Sequence, residues 1–236
     1  MTLLLYIILL GFIFLSIGQC YHLYDYYIKH PIIRDSSRVF YETADFKKLA
    51  ILREHFDEIR KECLDVYHKF PITDKLLRKQ EEWNNNLDIV QEFIEINKNS
   101  YWIPAWSDGW ANYPLMIKDT VSPGVTREMC PKTIELLESI GGINIAGFSL
   151  VNPGGGIKPH TDSTGPNFGS LAYHLCLIGE STLTVNEQDI IQTPKKVIIF
   201  NPEYTHHLFN HTESDRIILY LDFDVARVLH DDCDSI

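Results

Sequence analysis

The chain has 236 residues, an apolar fraction of 45% and a net charge of −11 at pH 7. This length allows one domain with a sizeable core, and the composition is that of a globular chain rather than a disordered or fibrous one. The acidic balance, without a basic stripe, argues against a groove that binds nucleic acid through phosphate contacts, so we expect no nucleic-acid partner. The five cysteines are scattered and contain no CxxC pair. This pattern argues against a disulfide scaffold and against a cysteine-built zinc site.

The first feature along the chain is an apolar run, LLLYIILLGFIFLSI, at residues 3–17. Extended to Leu23, the run approaches the roughly 20 residues that a helix needs to cross a bilayer. It has no cationic region before it and a poor small-residue cleavage site after it, which disfavours a cleaved signal peptide. A buried core helix is the other interpretation, but the run is apolar on all faces. We therefore predict a single-pass membrane anchor over residues 1–23.

The orientation of this anchor follows from the neighbouring charges. No Lys or Arg precedes the apolar run, whereas Lys29, Arg34 and Arg38 follow it closely. Because positive charge concentrates on the cytoplasmic side, the rest of the chain is predicted to lie in the cytosol. The unpaired cysteines agree with a reducing compartment, while one glycosylation sequon, at Asn210, points the other way.

Three helices are predicted before residue 142. Apolar residues recur at three- and four-residue steps in two long segments, and a shorter amphipathic segment precedes a Gly-Gly break. The predicted helices are 43–70, 74–96 and Lys132–Ile140. Between the second and the third, the segment YWIPAWSDGW carries Trp102, Trp106 and Trp110. These aromatic side chains either line a substrate groove or belong to the core, and the core is the commoner place for them.

After residue 142 the chain changes to short segments rich in β-branched and aromatic residues, separated by Gly, Pro and Asn clusters. The predicted strands are Ile143–Leu150, Leu171–Ile178, Ser181–Val185, Val197–Phe200 and Arg216–Asp222. Strands at this spacing predict an antiparallel barrel or sandwich with the helices packed outside it, and hence an α+β fold. The predicted parts are an anchor (1–23), a juxtamembrane linker (24–42) and one folded domain (43–236).

The densest chemical signal is the Gly-rich loop NPGGGIKPHTDSTGPN, which contains His160 and Asp162. A His and an Asp two residues apart on extended chain point to the same side, so both can reach one metal ion. A third ligand is offered by His206 or His207, after the strand at 197–200. Two imidazoles and one carboxylate on one face leave coordination positions open, which is the arrangement of non-haem Fe(II) oxygenases.

Three further residues accompany this group. Arg216 begins the apolar strand RIILYLD ten residues after His206. A guanidinium there is costly unless it meets a carboxylate. His174 lies in the alternating strand GSLAYHL, where a lone His is more simply a hydrogen-bonded core residue. Ser149 ends the strand that leads into the Gly-rich loop, and by itself it indicates nothing.

Together these motifs resemble the aspartyl/asparaginyl β-hydroxylase family of Fe(II)/2-oxoglutarate oxygenases. The resemblance covers about residues 100–225, through CPKTIELLESI, FSLVNPGGGIKPHTD, GSLAYHL and FNPEYTHHLFNHTESDRIILYLDFD. It implies a double-stranded β-helix core, also called a jelly-roll or cupin-like core, with packed N-terminal helices. It also implies hydroxylation of an unactivated C–H bond with Fe(II) as the metal, 2-oxoglutarate as the cosubstrate and O2 as the oxidant.

The resemblance assigns roles to the candidate residues. It implies that iron is bound by two histidines and a carboxylate, and that 2-oxoglutarate is held by an arginine with help from a serine and a third histidine. The implied metal ligands are His160, Asp162 and His206. The implied cosubstrate residues are Ser149, His174 and Arg216. The ten-residue spacing to the arginine favours His206 over His207 as the second histidine ligand.

The chain departs from the family pattern on the substrate side. Animal peptidyl hydroxylases of this family carry Gly in place of Asp162, so here the chain is similar to bacterial relatives that include the lipid A 2-hydroxylases. Those read G-S-L-R-Y-H-L, whereas Ala172 replaces the Arg in this sequence. The loop between His160 and His174 is also longer than in either group. These departures leave the metal assignment intact and leave the substrate open.

Several functions are consistent with these residues. A peptidyl Asp or Asn side chain is the first expectation for the substrate, and a lipid acyl chain is the alternative, favoured by the anchor and by GSLxYHL. A non-catalytic, membrane-tethered binding domain is a second alternative, but such a domain has no use for an intact set of metal ligands together with Arg216. A zinc hydrolase with the same ligands would lack an obvious general base beside them.

Overall fold

The computed structural model describes residues 37–70, 72, 102–105, 107, 109–162 and 169–230. The predicted anchor (1–23) and the predicted helix 74–96 lie outside these ranges. Among the described residues, no helix combines the length and the apolarity of a membrane span. The chain from Arg38 onward forms one compact unit.

The first predicted helix is interrupted in the structure. Two short 3-10 turns, Thr43–Asp45 and Lys47–Leu49, lead into α1 (Ala50–Glu54) and α2 (Phe56–Lys69). His55 separates α1 from α2, because its backbone angles (φ −95°, ψ 28°) leave the helical region. The apolar stripe nevertheless continues across the break. Within the described residues, the chain also forms α3 (Thr126–Met129), α4 (Pro131–Ile140) and α5 (Val225–His230).

Helix α4 confirms the third predicted helix. It starts at Pro131, a residue that suits the first helical turn, and ends at Gly141, which adopts a positive φ of 67°. Its N-terminus is capped from α2. The Glu62 carboxylate accepts hydrogen bonds from the backbone N–H groups of Lys132 (2.7 Å) and Thr133 (2.8 Å) and from the Thr133 hydroxyl (2.6 Å). The buried carboxylate satisfies N–H groups that the helix cannot satisfy itself, and joins α2 to α4.

The described strands form two antiparallel sheets. The strands are β1 (Phe40–Tyr41), β2 (Ile103–Pro104), β3 (Trp110–Ile117), β4 (Thr120–Val121), β5 (Ile143–Val151), β6 (Gly156–His160), β7 (Ser170–Ile178), β8 (Ser181–Val185), β9 (Gln188–Gln192), β10 (Val197–Phe200), β11 (His206–Phe209) and β12 (Arg216–Asp224). The larger sheet has the order β1-β10-β7-β12-β5-β3-β2, with β4 beside β3, and the smaller sheet has the order β6-β11-β8-β9. From β5 onward the chain passes back and forth between the sheets, which is the winding of a double-stranded β-helix. The expected α+β fold with a double-stranded β-helix core is therefore confirmed, whereas the predicted transmembrane helix lies outside the described residues.

An apolar cluster lies between the two sheets. Its members come from both sheets and are almost fully buried. They are Val151, Ala172, Leu183, Val185, Ile198, Phe200 and Leu208. The packed cluster joins the two sheets.

The predicted strands are all present, with ends that differ by at most a few residues. Seven of the described strands are additional to the prediction: β1, β2, β3, β4, β6, β9 and β11. Each is only two residues long or contains Pro, Gly, His or several polar residues, so its own sequence pattern is weak, and pairing with a neighbouring strand determines it. The folded unit also starts earlier than predicted, because β1 lies within the predicted linker 24–42 and pairs with β10.

Candidate metal and cosubstrate site

Two strands of the smaller sheet bring the predicted histidine ligands together. His160 ends β6 and His206 begins β11, and the two residues are register partners across this antiparallel pair. Their ring centroids are 4.1 Å apart. Asp162 follows β6 directly, and its backbone N–H donates a hydrogen bond of 3.0 Å to the Pro202 carbonyl, just before β11. The strand pairing thus places all three side chains at one end of the smaller sheet.

The ligand atoms of this group face one another. One oxygen of the Asp162 carboxylate lies 3.7 Å from Nε2 of His160, and the other lies 3.6 Å from Nε2 of His206. All three ligand atoms lie within 4.8 Å of one another. Since metal–ligand bonds of these types are about 2 Å long, a single ion can contact all three. The geometry fits a cation held by two imidazoles and a carboxylate on one side.

The backbone orients both imidazole rings. Nδ1 of His160 lies 2.8 Å from the Lys158 carbonyl, and Nδ1 of His206 lies 2.9 Å from the Tyr204 carbonyl. A carbonyl can only accept a hydrogen bond, so each Nδ1 carries the proton and each Nε2 keeps its lone pair, on the side that faces the Asp162 carboxylate. This is how histidine ligands are commonly held in metal sites.

The charges also suit a cation. Burial raises the pKa of the Asp162 carboxyl, but the hydrogen bond and the charges of His206 and His160 outweigh it, and the pKa falls below its ordinary value. The pKa of His160 is lowered by burial and then by the neighbouring His206. A charged carboxylate and a neutral imidazole are the forms that bind a metal ion.

His207 is placed differently from His206. It pairs in register with Thr184 of β8, whereas His206 pairs with His160 of β6. His207 is also outside the group of ligand atoms that could share one ion. Of the two sequence candidates, the structure therefore brings His206 to the other ligands.

The three predicted cosubstrate residues lie on central strands of the larger sheet. Ser149 is on β5, His174 on β7 and Arg216 on β12, and each side chain is buried. They line a cavity of about 470 Å³ that is also lined by the three metal-ligand candidates. The structure therefore brings all six predicted site residues around one cavity.

Arg216 is a buried cation that meets no counter-ion among the described residues. Its side chain is fully buried, and within the described residues its Nη1 has no hydrogen-bond partner. Nε and Nη2 donate to the side-chain oxygen of Gln192, which is neutral. Burial lowers the pKa of the guanidinium to about 10, so it still carries its charge at neutral pH. The unpaired Nη1 and the uncompensated charge of the guanidinium can bind an anionic ligand. A carboxylate matches the planar arrangement of the guanidinium donors.

Gln192 has a central position that the sequence analysis did not identify. It is the last residue of β9 and is almost fully buried. Its amide contacts both His174 and Arg216. No local pattern marks this residue, because a Gln at the end of the polar strand QDIIQ is typical of a solvated sheet edge.

The two-residue period of a β-strand identifies further cavity residues from the sequence. Alternate residues of a strand share one face, so the face of β12 that carries Arg216 also carries Ile218, Tyr220 and Asp222. All four line the cavity, and Ser149 on β5 is joined there by Gly147 and Ile145 in the same way. The same face of β3 contributes Trp110 and Asn112. Trp110 is thus a cavity residue, whereas Trp102 is a fully buried core residue.

Ile117 and Ile145 add apolar side chains to the cavity lining, next to Asp222, which is the register partner of Ile145 on β12. The two isoleucines are cross-strand partners on β3 and β5, and they are 52% and 48% exposed. Among the described residues that line the cavity, Arg216 is the only Lys or Arg. Asp222 adds a carboxylate to the lining.

Comparison with known proteins identifies relatives of the chain. The model of the aspartyl/asparaginyl beta-hydroxylase family matches residues 53–225. An ornithine lipid ester-linked acyl 2-hydroxylase of Rhizobium tropici is 27% identical over 188 residues, which cover 78% of this chain and 59% of that protein. An uncharacterized protein of Acanthamoeba polyphaga mimivirus is 32% identical over 131 residues, which cover 52% of this chain and 47% of that protein. The chain thus spans about half the length of these curated relatives.

The solved structures to which the chain shows similarity include the cupin domain of an XRE-family transcriptional regulator from Enterobacter cloacae. That domain matches 49% of this chain and 97% of its own length, with a TM-score of 0.36 and 11% sequence identity. A predicted oxalate decarboxylase from Thermotoga maritima matches 50% of this chain and 84% of its own, with a TM-score of 0.35 and 13% identity.

Proposed function

Since the chain belongs to the aspartyl/asparaginyl beta-hydroxylase family, we propose that it is a hydroxylase that depends on Fe(II) and 2-oxoglutarate. The observation that carries this proposal is the presence, in one cavity, of a two-histidine, one-carboxylate group and a buried arginine with an unpaired donor. When bound, iron and 2-oxoglutarate supply the oxidation of an unactivated C–H bond by O2, in which 2-oxoglutarate is converted to succinate and CO2.

The residues of the chain have separate tasks in this proposal. His160, Asp162 and His206 hold the ion from one side and leave its other side open to the cavity. Arg216 binds a carboxylate of 2-oxoglutarate. The Ser149 hydroxyl oxygen accepts a hydrogen bond from Trp110, so its own O–H is free to donate to the same ligand. Leu183 and Leu208 of the apolar cluster also line the cavity and exclude water from that side of it.

The test is an anaerobic titration of the full chain with Fe(II) and 2-oxoglutarate. Complex formation is measured by the absorbance of the visible metal-to-ligand charge-transfer band. The wild type is expected to give the band and His160→Ala to lose it. His207→Ala is the matched control, because it removes the adjacent histidine that lies outside the ligand group, and it is expected to keep the band. A folded, metal-free wild-type protein that gives no band would overturn the proposal.

For the substrate, we propose an acyl chain of a lipid. The walls formed by Ile117 and Ile145 suit an aliphatic chain, whereas a peptidyl Asp would need a cation for its carboxylate and would meet Asp222. Among the described cavity residues, the one Arg is already assigned to the cosubstrate. The similarity to an ornithine lipid acyl 2-hydroxylase supports this choice. A peptidyl Asp or Asn side chain remains the second candidate, supported by the family that the chain belongs to.

Product analysis on lipid and peptide substrates distinguishes the two candidates. With a lipid substrate, Ile145→Asn is expected to raise the KM for the lipid and to leave the affinity for 2-oxoglutarate unchanged. Ile191→Asn is the control, because Ile191 is similarly exposed (54%) but lies outside the cavity lining. Hydroxylation of the peptide alone would overturn the lipid proposal and leave the oxygenase proposal standing.

We also propose that the apolar segment within residues 1–23 anchors the enzyme to a membrane, with the catalytic domain in the cytosol. The length of the segment and the positive charges that follow it support this topology. Protease protection of membrane vesicles that contain the full chain tests it. Degradation of the catalytic domain from the cytosolic side is the expected result, and protection of the domain would contradict it.

A further inference from the structure

We infer that Gln192 is a positioning residue for the cosubstrate: its amide holds the Arg216 guanidinium and fixes which nitrogen of His174 carries the proton. The inference rests on the proposed function for the identity of the ligand that Arg216 and His174 meet. It concerns a residue to which neither the motifs nor the similarity to known proteins assigns a role.

The contacts of Gln192 come from three directions. Its side-chain oxygen accepts hydrogen bonds from Nε of Arg216 (3.2 Å), from Nη2 of the same guanidinium and from the Ser181 hydroxyl (3.1 Å). Its side-chain nitrogen lies 3.0 Å from Nδ1 of His174. Ser181 is the register partner of Gln192 across the β8–β9 pair, so the strand pairing places both side chains on the same face of the sheet. With 1% exposure, the amide has no access to bulk water.

These contacts determine the direction of every hydrogen bond in the group. A guanidinium can only donate, so the atom of Gln192 that faces Arg216 must be the amide oxygen. The amide nitrogen therefore faces His174 and donates to Nδ1. Burial and then the charge of Arg216 lower the pKa of His174 well below its ordinary value, so the ring is neutral. A neutral ring whose Nδ1 accepts carries its proton on Nε2.

Because the Gln192 amide is neutral, it does not cancel the positive charge of Arg216. A carboxylate at position 192 would have nearly the same shape but would pair with Arg216 and cancel the positive charge that attracts an anionic ligand. It would also lack an N–H, so His174 would have to place a proton on Nδ1 in order to donate. Gln192 thus fixes the two neighbouring side chains and leaves the charge of Arg216 available.

The tautomer of His174 is the direct readout, and it does not depend on iron. Long-range proton–nitrogen NMR spectra are recorded on the metal-free full chain with labelled histidine, and the His174 signals are assigned with His174→Asn. The wild type is expected to show the proton on Nε2, and Gln192→Glu to show Nδ1 protonated. Gln192→Met, which adds no charge, is expected to show a mixture of both tautomers. Ser181→Ala is the control, because it removes one donor to the amide oxygen and is expected to keep the wild-type tautomer.

The affinity for 2-oxoglutarate is the second readout, measured by calorimetry on the protein loaded with redox-inert Zn(II). Gln192→Glu is expected to weaken binding at least about tenfold, because charge-assisted contacts of Arg216 are lost, while Ser181→Ala changes it less than about threefold. In turnover with Fe(II), KM for 2-oxoglutarate should rise more than kcat falls. Unchanged affinity together with an unchanged His174 spectrum in Gln192→Glu would overturn the inference. Failure of the wild type to bind 2-oxoglutarate would instead overturn the proposed function, and the His174 spectrum would still decide whether Gln192 sets the tautomer.

Discussion

Trp110 donates its indole N–H to the hydroxyl oxygen of Ser149 over 2.8 Å, between the neighbouring strands β3 and β5. The tryptophan side chain lines the cavity, and its hydrogen bond uses the acceptor capacity of the serine while leaving the serine proton free. The contact therefore orients one of the residues expected to meet the cosubstrate.

We expect Trp110→Phe to weaken 2-oxoglutarate binding by about two- to tenfold, the effect of one lost hydrogen bond, with little loss of thermal stability. The aromatic ring stays in place, but the serine hydroxyl is no longer oriented. Calorimetric titration measures the affinity. Trp102→Phe is the control: this core residue is expected to affect the melting temperature and to leave the affinity as in the wild type. Equal affinities for Trp110→Phe and the wild type would show that the contact has no positioning role.

Arg216→Met is expected to increase the stability of the ligand-free protein while it removes cosubstrate binding. The guanidinium is a fully buried charge whose partner in the described part of the chain is a neutral amide, and an apolar side chain of similar size avoids the cost of burying that charge. We expect the free energy of unfolding to rise by about 1 kcal/mol or more, measured by urea denaturation. The affinity for 2-oxoglutarate should fall at least about a hundredfold.

The matched control for this stability effect is Arg127→Met. Arg127 forms an exposed ion pair with Glu138, with 59% and 44% of the two side chains accessible. Replacing it should leave the free energy of unfolding nearly unchanged. A loss of stability in Arg216→Met as large as that of a core truncation would contradict the expectation.

Glu62→Gln is expected to destabilise the protein by about 1–3 kcal/mol and to leave 2-oxoglutarate affinity unchanged. The carboxylate caps α4 through the N–H groups of Lys132 and Thr133, and the amide replaces one of its acceptor oxygens by a donor. Urea denaturation measures the change. Glu135→Gln alters an exposed carboxylate of the same helix that pairs with Lys132, and it should stay within about 0.5 kcal/mol of the wild type. Similar losses for the two variants would argue against the capping role.

Tyr67 introduces a pH dependence of stability. Its hydroxyl donates to the Asp215 carboxylate over 2.5 Å, and this hydrogen bond, followed by burial, raises the pKa of Tyr67 from 10 to about 12. Because the folded-state pKa is raised, the contribution is fully present below pH 10 and is lost as the pH rises towards 12. We expect Tyr67→Phe to be less stable than the wild type by up to about 1 kcal/mol below pH 10, with a difference that shrinks above it. Parallel urea denaturation of both proteins between pH 8 and 12 checks this, and a constant difference across the range would contradict it.

The sequence predicts those strands and site residues that have a recognisable local pattern of apolar residues or of residue spacing. The strand that begins at Arg216 is apolar at nearly every position, and the group around His160 has a spacing that only an extended segment explains. Strand β9 has no such pattern, since its burial comes from pairing with β8, and pairing partners are not visible in a local window. Gln192 was missed for this reason. Tyr220 and Asp222, unlike Gln192, can be predicted from the sequence. The two-residue period of a strand that starts at Arg216 places both of them on the face that lines the cavity.

The register pairing of His160 with His206 couples metal binding to a contact between distant parts of the chain. The two histidines belong to strands separated in sequence by β7 through β10, so the ligand group exists only in states in which β11 is paired with β6. An ion that needs both imidazoles therefore adds its binding free energy to the stability of this long-range pairing.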